Sequence, residues 1–316
     1  MNSDLFENGE RWREWSVEMK KRHGKRIARI ALDGGFTCPN RDGSKGYGGC
    51  AFCSSSGSGD TIAKTSDLKK QYQEGLVKAR AKWPDCLPVC YFQSFSNTYA
   101  SLERLKNLYQ PFLDDPNSPI LMIATRVDCL HQDFVDWLSE QAKKQSKEIW
   151  IEMGLQSAQD HLLQKLNCLY TTEDVQKAVE LCQRAGFKTC LHLMNGLPAQ
   201  SEKDMLENIR FVNALHPDAI KIHMLYLQPD CALAQKWLEK PWPMMSLEDY
   251  ALMVAKQLEL LDPSIMVARL SGDGLQNQLL APDWSRNKGH VRNVIRQTLA
   301  RRDSFQGRLF RTEQNA

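Results

Sequence analysis

The sequence predicts an α/β fold, a partial (β/α)6 barrel followed by a small mixed α/β C-terminal extension. Short apolar runs alternate with longer amphipathic segments over residues 26–228, which is the pattern of β/α units in a parallel sheet. Six such units can be counted, fewer than the eight of a closed barrel. The alternation then ends, because four prolines interrupt residues 229–263.

The elements follow one another in a regular order. Residues 1–25 form an N-terminal segment with a weakly amphipathic helix from residue 11 onward. The barrel strands are predicted as buried apolar runs at 26–32, 89–92, 120–124, 149–153, 189–194 and 219–224. The helices between them are predicted at 66–83, 101–112, 132–144, 172–185 and 201–215. The extension, residues 229–316, is predicted to contain a helix at 247–261 and a strand near 265–270.

Composition and charge exclude several classes of protein. The chain has 316 residues, 42% of them hydrophobic and 25% charged, so it can bury a core and does not have the composition of a disordered chain. Its N-terminus lacks an apolar stretch, and nothing later approaches the roughly 20 apolar residues of a membrane helix. We therefore expect a cytoplasmic protein without membrane contact. Ten cysteines in such a chain predict reduced thiols or metal ligands rather than disulfides.

Three cysteines stand in one glycine-rich loop directly after the first strand. Cys38, Cys50 and Cys53 form the pattern C-x11-C-x2-C at the carboxyl end of a barrel strand, where barrel active sites are built. Thiolates bind Fe–S clusters or zinc, but no second CxxC or HxxxH pair supplies the fourth ligand of a structural zinc site. Three thiolates leave one iron of a [4Fe-4S] cluster open to chelate S-adenosylmethionine (SAM) and cleave it to a 5'-deoxyadenosyl radical. A three-thiol structural loop or an incomplete zinc knuckle is the alternative.

This loop and a series of later blocks resemble a known family. LDGGFTCPNRDG at 32–43 and GGCAFC at 48–53 resemble the bacterial radical SAM proteins akin to the catalytic subunit of elongator. Further similar blocks extend the resemblance nearly end to end, at residues 91–98, 124–129, 152–156, 192–198, 220–223, 269–273 and 301–307.

The resemblance implies a cofactor set and a substrate. It implies a [4Fe-4S] cluster on Cys38, Cys50 and Cys53, SAM as the second cofactor, and an external electron donor of the flavodoxin or ferredoxin type. The branch that it resembles is implicated in tRNA wobble-uridine maturation, in which a carboxymethylaminomethyl group is trimmed to aminomethyl. A tRNA substrate is therefore expected.

Three segments depart from the family's pattern. The family's Asn-Arg-Gly-His-Asp after the fourth strand is Asn-Cys-Leu-Tyr-Thr at 167–171. Its Leu-Pro-Gly-Glu is Leu-Pro-Ala-Gln at 197–200, and its Lys-Gly-Thr-Pro is Gln-Pro-Asp-Cys at 228–231. Substrate contacts in these segments are expected to differ.

Charged and imidazole side chains in the strands are the catalytic candidates. Glu152 lies inside an apolar strand, where a carboxylate is costly unless it is paired, so we prefer binding of SAM ribose or substrate to a buried ion pair. Arg126 could bind a carboxylate or phosphate, or pair structurally with Asp128. Lys221 is the other candidate for a substrate carboxylate. His192 could act as an acid, contact the substrate, or be a satisfied core histidine.

A second group of residues is predicted to bind the cofactor. Phe52 precedes the last loop cysteine and is expected to cover the adenine or the cluster. Gln93 ends the second strand, where the resemblance places groups that bind the SAM amino end; a buried amide that caps the strand is the alternative. Glu152 belongs to this group through its proposed contact with SAM ribose, and three residues of the blocks that resemble the family complete it: Gln156, Asn195 and Leu197.

The C-terminal segment is locally basic. Eight basic residues and one acid, Asp303, lie between Arg286 and Arg311, although the net charge of the chain is only +3. With Trp284, Phe305 and Phe310 interleaved, the segment could bind an RNA backbone and stack on bases, or form a solvated helix face.

The rival functions are radical SAM chemistry on a small molecule or protein, and a non-catalytic RNA-binding module with structural zinc.

Overall fold

The computed structural model describes residues 6, 9–55, 57, 62, 65–272 and 278–311. Its centre is one sheet of parallel strands that follow one another in sequence order. The strands are β1 (Ile27–Leu32), β2 (Leu87–Phe92), β3 (Ile120–Thr125), β4 (Glu148–Gln156), β5 (Lys188–Asn195), β6 (Ala219–Met224) and β7 (Met266–Arg269). All carboxyl ends therefore meet at one edge, and the predicted partial barrel is confirmed.

Helices connect and cover the strands. They are α1 (Trp15–His23), α2 (Leu68–Lys82), α3 (Leu102–Leu113), α4 (Gln132–Lys144), α5 (Asp160–Lys165), α6 (Thr172–Arg184), α7 (Glu202–Leu215), α8 (Ala232–Glu239), α9 (Leu247–Leu260) and α10 (Lys288–Arg301). Thr171 and Ser201 begin α6 and α7 with capping boxes, and Asp67 caps α2, which explains why these starts could be predicted. Within the described ranges, no helix is long and apolar enough to cross a membrane.

The inner face of the sheet changes character along the strands. Near the amino ends it is apolar, and Trp15 and Met19 of α1 pack there against Val89, Met122 and Trp150. The rings of Trp15 and Trp150 meet edge to face with centroids 5.8 Å apart. Toward the carboxyl ends the inner face carries polar and charged side chains, so a hydrophobic base supports a polar site.

The C-terminal extension adds a strand to the sheet and forms ion pairs with the segment before α1. β7 pairs in parallel with β6, which adds a seventh strand to the predicted six. Arg292 forms ion pairs with Glu10 and Glu14, at 2.8 and 2.5 Å. Arg302 pairs with Glu259 at 2.9 Å. Part of the basic segment thus neutralises acids of the same chain, and the boundary at residues 228/229 stays a prediction.

Candidate active site

The three loop cysteines and the ends of β2 to β5 line one cavity at the carboxyl edge of the sheet. Its cavity volume is about 170 Å³. Cys38, Cys50 and Cys53 line it together with Glu152 and His192 of the barrel strands. Three thiols from one loop on a single cavity fit a three-thiolate cluster.

Backbone hydrogen bonds fix the loop that carries these thiols. The Arg41 amide donates to the Cys38 carbonyl at 2.8 Å, and the Cys53 amide donates to the Cys50 carbonyl at 2.9 Å. Gly49 has a φ of +77°, and a Cβ there would lie 2.9 Å from Arg41 Nε, so this turn requires glycine. Burial raises the pKa of Cys53 to about 11. Metal binding must therefore displace a proton from it.

The loop after α5 contains the segment 167–171, which differs from the family's pattern, and it packs against the cysteine loop. The Ala51 amide donates to the Leu166 carbonyl at 2.8 Å. Asn167 Nδ2 donates to the Gly49 carbonyl at 2.9 Å, and Asn40 Nδ2 donates to the Asn167 carbonyl. This 166–170 loop therefore helps to form the wall that contains Cys50.

Arg126 is bound within the protein beside the cysteine loop. Its guanidinium donates to both carboxylate oxygens of Asp128 at 2.9 Å and to the Cys168 carbonyl at 2.8 Å. Its Nη1 lies 3.9 Å from Cys50 Sγ. Burial opposes the charge, but the Asp128 hydrogen bonds raise the pKa of Arg126 above its ordinary value. The structural pair with Asp128, one of the two interpretations of Arg126, is thus present.

Glu152 is the centre of a buried polar network on the barrel side. Its Oε2 accepts hydrogen bonds from Tyr91 Oη at 2.6 Å and from Lys221 Nζ, and lies 3.2 Å from His192 Nε2. Its Oε1 is buried without a hydrogen-bond partner among the described residues. Burial alone would raise the pKa of Glu152, but Lys221, His192 and Arg29 hold it well below its usual range. A carboxylate thus lies next to the cavity, with one oxygen unbonded.

Burial disfavours the charged forms of the histidines of β5 and β6. Burial, reinforced by Lys221, lowers the pKa of His192 to about 4. Burial also lowers the pKa of His223, whose ring centroid lies 5.6 Å from that of His192. A neutral imidazole at physiological pH favours a substrate contact for His192 over the role of an acid.

Four of the six predicted cofactor-binding residues line the cavity: Phe52, Gln93, Glu152 and Gln156. Gln156 adopts a left-handed φ of +62° at the irregularity where β4 shifts register against β5. Gly154 leaves room for the Gln156 amide, which a Cβ at Gly154 would strike. The local backbone of β4 thus directs Gln156 along the cavity wall.

The other two predicted residues lie elsewhere. Asn195 and Gln257 of α9 exchange amide hydrogen bonds of 2.7 and 3.0 Å, so the polar group of Asn195 is used inside the core. Leu197 is buried and lines a separate groove with Trp242 and Met245. Neither reaches the cavity, because the chain after β5 turns outward toward α9.

Several cavity residues were absent from the candidates chosen on sequence. Tyr91 binds Glu152, while Tyr170 lies over the Arg126 guanidinium at 5.0 Å. Ser94 and Phe95 have left-handed φ angles of 81° and 54° and turn the chain after β2 along the cavity. The position of Tyr91 near the end of an apolar strand was the available signal. Tyr170 lies in the segment 167–171, which differs from the family's pattern, and nothing in the sequence indicated that it would line the cavity.

Comparison with known proteins identifies the family. A model described as the radical SAM superfamily matches residues 38–212, and one for the radical SAM C-terminal domain matches residues 217–301. The uncharacterized protein YtqA of Bacillus subtilis is 34% identical over 301 residues, which cover 95% of this chain and 93% of YtqA. A probable threonylcarbamoyladenosine tRNA methylthiotransferase of Pyrococcus horikoshii is 24% identical over 110 residues, 34% of this chain and 26% of that protein.

A solved structure agrees with the fold. Archaeal Elp3 from Methanocaldococcus infernus superposes with a TM-score of 0.68 at 15% sequence identity, covering 89% of this chain and 64% of that one. Radical SAM enzymes use a [4Fe-4S] cluster together with SAM, and the three thiols that line the cavity fit the ligand set of such a cluster. On the match to more than half of its length, this chain belongs to the radical SAM superfamily.

Proposed function

We propose that this radical SAM enzyme acts on tRNA and trims the carboxymethylaminomethyl group of a wobble uridine to aminomethyl. The observation that carries the proposal is the single cavity lined both by three thiols and by Glu152 and His192 of the charged network. A cofactor and a substrate group can meet there. We place the enzyme in the cytoplasm, with a flavodoxin or ferredoxin as electron donor.

Cys38, Cys50 and Cys53 are the proposed cluster ligands. When bound, the cluster supplies the electron that cleaves SAM to a 5'-deoxyadenosyl radical. Phe52, Gln93 and Gln156 line the same cavity and are the proposed SAM contacts. The unbonded Oε1 of Glu152 can accept a hydrogen bond from a hydroxyl or amine of SAM or substrate.

The charges of the inner face support a substrate that carries a carboxylate. Lys221 and Arg29 approach Glu152 from the barrel interior, so two cations face one carboxylate while His192 is neutral. The Arg29 guanidinium stacks on Trp15 at 4.0 Å, and its Nε is buried without a hydrogen-bond partner among the described residues. An anionic group would balance the excess positive charge. The acid portion of the carboxymethylaminomethyl group meets this requirement.

Two further observations support an RNA substrate. The sequence resemblance to the elongator-related branch extends nearly end to end, and a matching archaeal relative is described as a tRNA methylthiotransferase. Arg301 and Arg311 are exposed at the C-terminal end and are the proposed backbone contacts. The departing segments at 167–171, 197–200 and 228–231 favour a second candidate, radical SAM chemistry on a small molecule or protein.

Metal analysis and nucleoside analysis test the two parts of the proposal. Anaerobically purified protein should contain iron and sulfide for one [4Fe-4S] cluster, and Cys38→Ala, Cys50→Ala and Cys53→Ala should each lose it. Cys182→Ala, in α6 and away from the cavity, should keep it. Stoichiometric zinc without iron would instead support the RNA-binding module. In a deletion strain, tRNA should accumulate carboxymethylaminomethyl-uridine, and an unchanged nucleoside profile would exclude the tRNA substrate.

A further inference from the structure

An open groove lies between α2 and the end of α3, outside the candidate active site. Its cavity volume is about 700 Å³. The lining combines positive charge with aromatic surface, and it includes the cations Lys25, Lys69 and Arg80, the acid Asp115, and the rings of Tyr72 and Phe112. We call this feature the α2 groove.

The α2 groove follows one face of the helix. Four of its lining residues recur at helical spacing and therefore share a face: Lys69, Gln73, Leu76 and Arg80. On the inner side, α2 lies close against the sheet, because a Cβ at Gly75 would lie only 2.6 Å from Ile30 Cγ2 of β1. The packing of α2 on β1 thus leaves the Lys69 and Arg80 side chains exposed along the groove.

The two ends of α2 lie at opposite edges of the sheet. The Asp33 amide, directly after β1, donates to Gln71 Oε1 at 2.8 Å, so the first turn of α2 lies at the carboxyl edge. At the amino edge, the Leu87 amide of β2 donates to the Arg26 carbonyl at 2.9 Å, and the neighbouring Lys25 lines the groove. The 15 residues of α2 span about 22 Å. The groove therefore leads from the edge with the cysteine loop to the opposite edge.

The positive charge of α2 is not neutralised within the chain. The helix contains five cations and one acid, Glu74. In the part of the chain that the structure describes, none of these five cations forms an ion pair. The exposed cations of α6 differ, because Lys177 pairs with Glu173 at 2.6 Å and Arg184 pairs with Glu180 at 3.9 Å. The charge of α2 thus remains available to an anionic partner.

Two further cations extend this positive surface at the amino edge. The Arg26 guanidinium lies over the Trp83 ring at 4.4 Å, and Lys82 Nζ lies 4.7 Å from the same ring. Both side chains are exposed. Their contacts with the ring fix the positions of the two charges, so less conformational freedom is lost when an anion binds them.

We propose that the α2 groove binds the phosphate backbone of an RNA strand that leads away from the active site. This inference rests on the proposed RNA substrate. A span of about 22 Å corresponds to about six nucleotides of one strand at about 3.4 Å each. The cations contact phosphates, and Tyr72 and Phe112 offer rings on which bases can stack. An elongated groove that leaves the cysteine loop suits a linear polyanion better than an acidic electron-donor protein, which must approach the cluster itself.

Filter binding of tRNA isolated from the deletion strain, at several salt concentrations, tests the inference on the full-length, cluster-loaded protein. Lys69→Gln combined with Arg80→Gln should weaken binding about tenfold near 0.15 M salt. The slope of log Kd against log salt should fall by about 1.5, because each lost phosphate contact removes about 0.7–0.9. Lys177→Gln combined with Arg184→Gln is the matched control. It removes the same charge from exposed positions of α6 and should retain the wild-type affinity and slope.

The outcomes separate this inference from the proposed function. If the wild type does not bind tRNA, the proposed RNA substrate fails and this inference fails with it. If the wild type binds and the α2 variant binds equally well, the substrate stands and the role of the groove is refuted. Equal losses in the α2 and α6 variants would show a general effect of charge and would also refute it.

Two further measurements complete the test. If the α2 variant retains tRNA binding but its cluster is no longer reduced by flavodoxin, the groove binds an acidic protein and the inference is overturned. Should the α2 variant be unstable in urea unfolding, Lys25→Gln combined with Lys69→Gln provides the same measurement, since both side chains line the groove and are exposed. Wild-type affinity and slope in that variant would refute the inference.

Discussion

At the scale of single residues, the Lys221–Glu152 pair sets the properties of the barrel interior. Both side chains are almost inaccessible, with Glu152 1% and Lys221 2% exposed. Lys221 Nζ also donates to Tyr91 Oη at 3.3 Å, so one ammonium holds both the carboxylate and the phenol. Such a pair is weak evidence for stability as such, but loss of either partner leaves a buried charge without compensation.

We expect Glu152→Gln to destabilise the protein by about 3–5 kcal/mol, because Lys221, whose pKa burial already lowers to about 8, would lose the carboxylate that favours its charged form in this buried site. Urea unfolding at pH 7 measures the loss. The double variant Glu152→Leu with Lys221→Met should recover most of it, since no buried charge remains. Glu173→Gln, in an exposed pair with Lys177, is the control and should change stability by less than about 0.5 kcal/mol. A Glu152→Gln variant as stable as this control would contradict the network.

The depressed pKa of His192 predicts a pH dependence of stability. The folded protein takes up this proton only near pH 4, whereas the unfolded chain does so near pH 6.5, so the unfolded state holds more protons between these values. Stability is therefore lost as the pH falls through this window. From pH 8 to pH 5, His192 should account for about 2 kcal/mol. Urea unfolding should show a smaller pH dependence in His192→Gln, and an identical dependence in both proteins would refute the prediction.

At the scale of elements, the strands could be predicted because each is a buried apolar run between helices with clear starts. The run at Ala219–Met224 was predicted with these bounds, and α4 at Gln132–Lys144 likewise. Lateral pairing could not be predicted. That β7 joins β6 depends on contacts over more than forty residues of proline-interrupted sequence. The same limit applies to the site, since the partner of Glu152 is set by the register of β4, β5 and β6.

The amide pair between β5 and α9 leads to a prediction for Asn195. Asn195→Ala should cost about 1–3 kcal/mol, because the buried Gln257 Oε1 would lose the hydrogen bond from Asn195 Nδ2, and Gln257→Ala should cost a similar amount. A double-mutant cycle in urea measures the coupling. SAM affinity, measured by calorimetry under anaerobic conditions, should stay at the wild-type value in both variants. A tenfold loss of affinity in Asn195→Ala with unchanged stability would return Asn195 to the cofactor-binding residues.

At the scale of the whole molecule, the segment just before α1 contacts α10 of the C-terminal extension. Arg292 and Arg296 of α10 bind Glu10, and Arg292 also binds Glu14 just before α1. The Val267 amide of β7 donates to the Arg13 carbonyl at 2.7 Å. The C-terminal extension thereby anchors the helix that fills the apolar end of the barrel, and the basic residues involved are already occupied by acids of the same chain.

The ion pair between Glu14 and Arg292 should show a measurable coupling energy that depends on salt. In a double-mutant cycle of Glu14→Ala and Arg292→Ala, we expect a coupling energy of about 0.5–1 kcal/mol, since both side chains keep some contact with solvent. In 1 M salt the coupling should shrink, because exposed charges are screened. The matched pair Arg302 and Glu259, whose acid is more buried, should retain more of its coupling. Equal couplings at low and high salt would contradict an electrostatic origin of the Glu14–Arg292 coupling.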